Sequence, residues 1–400
     1  MTNGYLIALS ISLWILIALP VGYLLLLALA SIRTNNLEIH QSQNSSYRFI
    51  LVIPAHNEEK VIQSTIYRLQ SLNYPKDMYQ IHIVADHCND QTVIRARLAE
   101  AVVHERESGE RSGKGAALSW FFDKILTNRT IDAIVVFDAD THVDQNYLRV
   151  MSDCLSKGYQ IIQGQHIIRN PLDGWFPSLV WAMFMIDNRF QNLGRSNLGW
   201  SAKNMGDSIC CRADILRKLG WGKGLTEDYQ LRQRLLLEGV RIKYEPRAIG
   251  YGEAPRTWRS AQSQRARWLR GTREASQMLL FQMLHKGFCK KDLALLDGAV
   301  QAILPSYSTL TLLIGFLLFS QLAASWIFAL VIPPPLIAAW AGLLGIIFIY
   351  PFFGLALEHA PFRGFLVILS GPVYILWRSY LAFRSRFIQK NIVWIRTPHG

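Results

Sequence analysis

Asp138 and Asp140 stand two residues apart in "AIVVFDADTHVD" (Ala133 to Asp144), where an apolar run meets acid. On an extended strand, alternate side chains project to the same side. Two carboxylates on one side, with coordination positions left open, suit Mg²⁺ or Mn²⁺ shared with a diphosphate. Alone, such a pair suits a helix cap or a solvated loop equally well; the buried-looking run ahead of it favours a ligand. A second acidic pair, Glu227-Asp228, follows Thr226 and precedes "YQLRQRLLLEG". Thr followed by acids makes a good helix N-terminus, and Asp228 also suits a general base. Spacing does not separate these two readings. "RSGKGAAL" (Arg111 to Leu118) departs from a phosphate-binding P-loop, with Ser108 at the first glycine position and Gly115 after the lysine. A nucleoside triphosphatase is therefore disfavoured, although Lys114 and Arg111 still suit phosphate near a helix N-terminus. In "QSQRARW", Gln264, Arg267 and Trp268 share one helical face. There Arg267 can fork onto phosphate oxygens and Trp268 can stack on a sugar, or both can sit at headgroup level.

These groups need a scaffold that gathers them. "YRFILVIPAHNEE", "QIHIVADHCND", "AVVHE", "DAIVVFDAD" and "YQIIQGQHI" read as strands, the first doubly buried. Helical patterns at about 58–71, from Asp90, over "GKGAALSWFFDKIL" and near 144–157 separate them. Strands alternating with helices of this length predict a parallel sheet with right-handed crossovers. Ligands bind such sheets beyond the carboxyl ends of the strands. His56, Asn57, Glu58, Asp86, Asp90, Asp138 and Asp140 all fall there. The stretch 170–255 is less regular.

Half of the 400 residues are hydrophobic and 18% are charged, and the apolar excess lies at the two ends. Tyr5 to Ala30 is long enough to cross a bilayer, as are runs near 305–331, 335–357 and 363–382. The first is too long for a signal-peptide core and predicts a retained anchor. The net charge of +13 clusters beside these runs, from Arg256 to Lys291 and from Arg378 to Arg396. Juxtamembrane placement favours anionic headgroups over nucleic acid, which is not expected as a partner. No Lys or Arg precedes the first run and Arg33 follows it, which puts the N-terminus outside and the middle domain in the cytoplasm. The segment at 363–382, broken at Gly371-Pro372, is expected to be re-entrant or interfacial, leaving the basic tail cytoplasmic. The five cysteines match no zinc spacing and read as reduced thiols.

Taken in order, "VIPAHNEE", "VADHCNDQT", "FDADT" and "TED" followed by Q-x-x-R-W resemble glycosyltransferase family 2, in its membrane-embedded branch. That branch includes cellulose, hyaluronan, chitin and poly-N-acetylglucosamine synthases and ceramide-glucosyltransferase-like enzymes. The resemblance runs from about Phe49 to Gly271. It implies an α/β GT-A fold, a Rossmann-like mixed sheet with helices on both faces, flanked by transmembrane helices. It implies a metal-dependent, inverting hexosyltransferase of the plasma (inner) membrane that uses a UDP-sugar and Mg²⁺ or Mn²⁺. Pro54, Asn57, Glu58, Asp86, Lys114, Asp138 and Asp140 would bind the nucleotide sugar, with Asp86 on the uracil. Asp140, with Asp138, would hold the metal. Glu227, Gln264, Arg267 and Trp268 would bind acceptor and diphosphate, and Asp228 would deprotonate the acceptor. The first acid of the usual V-D-D-x-S pattern is Ala85 here, and Cys88 replaces the serine. The tail "VWIRTPH" resembles the W-x-x-T-x-R ending of some synthases, with His399 in place of arginine. Processive polysaccharide synthesis is the first expectation; a single transfer to a lipid such as diacylglycerol or ceramide is the alternative. A homo-oligomer would supply more helices for a polymer channel. The expected parts are an anchor at 1–32, a catalytic domain at 45–255, interfacial helices at 256–302, a membrane region at 303–383 and a basic tail at 384–400.

Overall fold

Strand β1 (Phe49–Ala55) is buried at every position except Pro54, as a strand covered on both faces must be. Its alternate side chains enter two separate apolar layers. Leu51 and Ile53 pack with Ile62, Ile66 and Leu69 on one side. Ile50 and Val52 pack with Leu118, Phe121 and Phe122 on the other. The computed structural model describes residues 2–34, 47–222, 226–256, 258–327 and 332–387. Around β1 lie β2 (Tyr79–Asp86), β3 (Val102–Arg106), β4 (Ala133–Val136), β5 (His142–Val143), β6 (Ile161–Ile168), β7 (Ile209–Arg212) and β8 (Ile242–Gly252), in the order β3-β2-β1-β4-β7-β6-β8-β5. The helices are α1 (Thr2–Ala30), α2 (Ile62–Gln70), α3 (Thr92–Leu98), α4 (Lys114–Ile125), α5 (Tyr147–Ser156), α6 (Trp175–Ile186), α7 (Gly194–Asn197), α8 (Ala213–Leu219), α9 (Glu227–Leu237), α10 (Trp258–Lys290), α11 (Leu293–Ile303), α12 (Tyr307–Ile327), α13 (Pro334–Leu357), α14 (Phe362–Ile368) and α15 (Gly371–Phe387).

The mixed α/β sheet with helices on both faces is the fold class the resemblance implied. The all-parallel sheet predicted from strand–helix alternation holds only for β1 to β4. Strand β7 enters antiparallel to β4, and β6 pairs antiparallel with β7 and parallel with β8. This inversion matters for the site. It brings the N-terminal end of β7 to the edge where β1, β2, β4, β6 and β8 present their carboxyl ends. The strand predicted through Asp140 stops at Val136, and a turn closed by Thr141 N–H on Asp138 O (3.1 Å) follows.

Helices α1, α12 and α13 are each long and apolar enough to cross a membrane. The segment predicted to break at Gly371-Pro372 breaks just before it: α14 and α15 bend by 48° across Leu369-Ser370, and Gly371-Pro372 open α15. Ile17 and Val21 of α1 pack with Leu310, Ile314 and Leu318 of α12 and with Trp340 and Leu343 of α13. The residues beyond 387, including the tail motif, lie outside the described residues.

Asp297 on α11 joins this bundle to the sheet domain. It accepts from Tyr23 Oη of α1 (2.6 Å), from Arg195 Nε of α7 (3.0 and 3.1 Å) and from Arg232 Nη2 of α9 (3.2 Å). All three charged side chains are buried. Removing one member of a buried charge cluster strands the others, at a cost of about 3–5 kcal/mol. Asp297→Asn is therefore expected to lower the thermal midpoint in detergent sharply, with Asp297→Glu milder. An unchanged midpoint would show that the cluster does not hold the two halves together.

His82 of β2 is a second buried polar point. Its Nδ1 lies 2.9 Å from His104 Nε2 and its Nε2 lies 3.2 Å from Gln80 Oε1, under the Phe121 ring. Burial, helped by the charge of His104, pushes its pKa from 6.5 down to about 4. A histidine depressed in the folded state takes up its proton first on unfolding. Its contribution is intact above about pH 6.5 and is lost as pH falls towards 4. His82→Phe should flatten the fall in melting temperature over that window; a profile as steep as wild type would remove His82 as its source.

Candidate active site

The turn after β4 leaves Asp138 and Asp140 open on either side of the buried Ala139. Thr65 Oγ1 of α2 anchors it by donating to Ala139 O (2.8 Å). The two carboxylates thus share a cleft wall, though on a turn and not on an extended strand. Lys114 at the start of α4 pairs with Asp138 and donates to Gly206 O (2.6 Å). Burial works against its charge, but Asp138, Glu227 and Asp207 together hold its pKa above the usual lysine value. Lys114, expected to neutralise phosphate, thus stands against the acidic wall.

Asp207, which sequence reasoning passed over, organises this wall. Its Oδ1 accepts the backbone N–H of Asp138 (2.9 Å) and the Thr141 hydroxyl (3.0 Å). Its Oδ2 accepts Nδ1–H of His166 (2.8 Å) and the Ser208 hydroxyl (3.1 Å). Burial would raise the Asp207 pKa, yet the His166 contact, Lys114 and the Asp138 amide hold it below the usual range. Asp207 in turn raises the pKa of His166 against the effect of burial, with help from Asp138 and Asp140. The signal existed in "NMGDSICC" and "GQHII", but a parallel reading puts a residue that precedes a strand at the wrong edge.

Glu227 and Asp228 open α9 on the opposite wall. Thr226 caps nothing: its side chain makes no cap bond, and its buried Oγ1 has no partner among the described residues. The capping explanation of "TED" therefore fails here. The approach of α9 depends on glycine. A Cβ at Gly115 would lie 2.8 Å from Glu227 Cβ, and one at Gly206, whose φ is +76°, would lie 3.2 Å from Asp228 Oδ2.

At the end of β2, Asp86 Oδ1 accepts from Arg106 Nη1 and from His87 Nδ1. Both Asp86 and Arg106 are buried. His56 Nδ1 donates to Asp86 O (2.7 Å), and Arg111 contacts the other ring nitrogen of His56. Pro54, Glu58, Asp86, Lys114, Asp138 and Asp140 all line one cleft of about 1700 Å³, as do Glu227, Asp228, Gln264 and Trp268. Asn57 does not line it. At φ 56° its side chain turns away to accept Asn89 N–H (2.9 Å) and so shapes the loop. The Arg267 side chain lies outside the described residues. From the acidic end the cleft runs to Pro305 and Tyr307 and on to Leu344 and the exposed Phe348 of α13, on the apolar bundle.

Two hard carboxylates on one open wall fit a divalent cation that takes its remaining oxygens from a diphosphate and water. No cluster of three or more His, Cys, Asp or Glu suited to a metal occurs among the described residues, so the wall offers a shared site and not a closed cage.

The family model described as glycosyl transferase family group 2 matches residues 133–353. The chain is 29% identical over 242 residues to a probable glycosyltransferase, YdaM, of Bacillus subtilis, covering 55% of this chain and 54% of that protein. It is 26% identical over 367 residues to the beta-monoglucosyldiacylglycerol synthase of Trichormus variabilis, covering 87% of this chain and 76% of that protein. Against YdaM and some other curated relatives, the match spans about half of the relative's length. Among solved structures, the mannosyltransferase PcManGT from Pyrobaculum calidifontis, in complex with GDP-Man and Mn²⁺, aligns with a TM-score of 0.56 at 15% identity. It covers 96% of this chain and 100% of that one, a likeness of fold.

The Asp207 network carries a prediction. Asp207→Asn keeps the shape but cannot accept at both oxygens, leaving the donors on one side without their acceptor. A loss of about 1–3 kcal/mol of stability is expected, with activity falling more than stability explains. Full activity in a folded Asp207→Asn protein would show that Asp138 needs no anchoring.

Proposed function

We propose that this chain, which belongs to glycosyl transferase family group 2, moves a sugar from a UDP-sugar to a lipid acceptor at the membrane, with inversion to a β-linkage. One observation carries the lipid reading: a single cleft joins the acidic wall at Asp138, Asp140 and Asp228 to apolar residues of α12 and α13. An acceptor with an acyl portion can lie in the bundle and still reach the acids. The long match to a diacylglycerol-modifying synthase supports this reading. Repeated addition to a growing polysaccharide is the second reading, favoured by Gln264 and Trp268 on the cleft wall.

In the proposed reaction the acceptor hydroxyl gives its proton to the Asp228 carboxylate as its oxygen bonds to the anomeric carbon. The bond from that carbon to the diphosphate breaks on the opposite face, and UDP departs with the electron pair. Mg²⁺ or Mn²⁺ held by Asp140 and Asp138 would supply Lewis-acid charge against the diphosphate. Lys114 adds fixed positive charge on the same wall, already in place before reaction. Asp207 keeps the Asp138 amide, and so the turn, from shifting. Asp86 and Arg106 face the nucleobase end.

Orientation follows from charge. Arg33 just after α1 and the basic stretch from Arg256 to Lys291 favour a cytoplasmic catalytic domain. With α12 and α13 crossing and the bent α14–α15 pair re-entrant, the basic tail returns to the cytoplasmic side. The domain limits given from sequence stand as part of this proposal.

Asp228→Asn is expected to reduce transfer by at least about 10²-fold, within the usual range for a general base, while UDP binding stays within a few-fold of wild type. Turnover that survives the substitution removes the base assignment. Sizing the product from labelled UDP-glucose and UDP-N-acetylglucosamine, with GDP-mannose as a control, separates the two readings. A discrete chloroform-soluble product supports lipid transfer; a polymer supports the second.

A further inference from the structure

Arg378 sits in the bent apolar pair α14–α15, where an ionised side chain is costly without a partner. Val373, Leu376, Tyr380 and Phe383 form the exposed face of α15, whereas Tyr374 and Leu381 are buried. Arg378 falls on the inward face with these two and lines the cleft, so it does not reach outward to headgroups. Opposite it, Arg265 of α10 also lines the cleft, its guanidinium 4.8 Å from the Trp268 ring centroid. Helices α10 and α15 pack together. Among the described residues neither guanidinium has a carboxylate or carbonyl partner. The cleft's nearby acids are taken: Asp187 by Lys203 (2.6 Å) and Glu253 by Arg169 (2.7 Å). Arg256, a third arginine of the same lining, has its own partner in Asp173 (2.8 Å). Burial lowers the pKa of Arg265; Tyr374 and, more weakly, Asp187 oppose the fall and Arg378 adds to it. Two like charges in a low-dielectric cleft call for an anion between them.

We infer that Arg265 and Arg378 form an anion subsite for the phosphate of the acceptor lipid, which makes the acceptor a phospholipid-like amphiphile and not a neutral lipid. Ile368 and Leu369 beside them, with Leu344 and Phe348, receive the chains. The forked guanidinium geometry suits phosphate oxygens, and the acceptor's hydroxyl then lies on the Asp228 side of its phosphate. This inference rests on the lipid-transfer reading for its meaning, but the subsite can be tested without activity.

The test uses the full chain in dodecyl maltoside and native mass spectrometry, with phosphatidylglycerol and diacylglycerol of the same acyl chains. Wild type is expected to retain phosphatidylglycerol at least about tenfold more than diacylglycerol, a 1.4 kcal/mol preference. Arg265→Gln with Arg378→Gln should abolish that preference. Equal retention of the two lipids by wild type overturns the subsite, and does so even where the double variant fails to fold. A folded double variant that still prefers phosphatidylglycerol also overturns it. A parallel titration with UDP-glucose distinguishes the other source of phosphate. The donor KM should stay within about twofold; a larger rise with lipid retention unchanged would assign the arginines to the donor diphosphate instead. Lipid preference without any sugar transfer would sink the transferase reading and leave the subsite standing.

Discussion

Asp297 on α11 is shared by two guanidinium groups and one phenol from three other segments: Tyr23 in α1, Arg195 in α7 and Arg232 in α9. Each arginine also has backbone or amide partners. Arg232 donates to Ala202 O and Ser201 O, and Arg195 to Gln191. A buried carboxylate held this way has one low-energy arrangement, because any slip strands a charge away from water. Arg232 lies only four residues beyond Asp228 on α9. The depth of the acidic pair relative to the membrane helix α1 is therefore fixed by the same cluster that closes the domain onto the bundle. Chemistry at a membrane surface requires that height to be constant, and here it is set by a charge cluster, not by a hinge.

The same economy of parts recurs at the sheet edge. Asp207 ties the Asp138 amide, Thr141 and His166 into one network. It does so from the N-terminal end of a strand that runs against its neighbour β4. This explains how much could be read in advance. Strands β1, β2 and β4 were legible because each carries a short apolar run whose alternating positions must feed two core layers. Their carboxyl-end residues were legible for the same reason. Asp207 and His166 were not, since strand polarity is decided by long-range pairing and leaves no local trace. A parallel expectation sends Asp207 to the far edge of the sheet.

Local rules misled at smaller scale too. Thr226 ahead of Glu227-Asp228 has the composition of a helix cap, yet its hydroxyl caps nothing. Close packing of α9 on Gly115 and Gly206 fixes the first turn instead, so tertiary contact overrode a propensity. Asn57 carries the right chemistry at the right strand end, but a left-handed backbone turns it into loop scaffolding. Asp138 and Asp140 kept their shared side for a reason other than strand alternation: the residue between them is pulled into the core. The helices long and apolar enough to cross a membrane were the most legible part, because length and hydropathy alone identify them.

The cleft is polarised along its length. Its sheet end carries Glu58, Asp86, Asp138, Asp140, Asp207, Glu227 and Asp228 against Arg111, Lys114 and His166, together with Arg106 behind Asp86. Its membrane end carries Arg265 and Arg378 with no acid left over. A bare diphosphate is repelled by the first end and attracted by the second, so the proposed donor can settle at the sheet only as a cation complex. In the proposed function the acids would hold the cation, whose charge would offset that of the diphosphate. A divalent ion gains nothing at the guanidinium end, where it would meet like charge. An anionic lipid, as inferred for the acceptor, would gain most there, with its acyl chains on the apolar bundle at the same place. The two proposed substrates would thus be sorted by the sign of the wall they approach, before any specific hydrogen bond is made. On this view the acid pair after β4 and the unpaired arginines below it are two halves of one arrangement. Neither half explains the cleft alone.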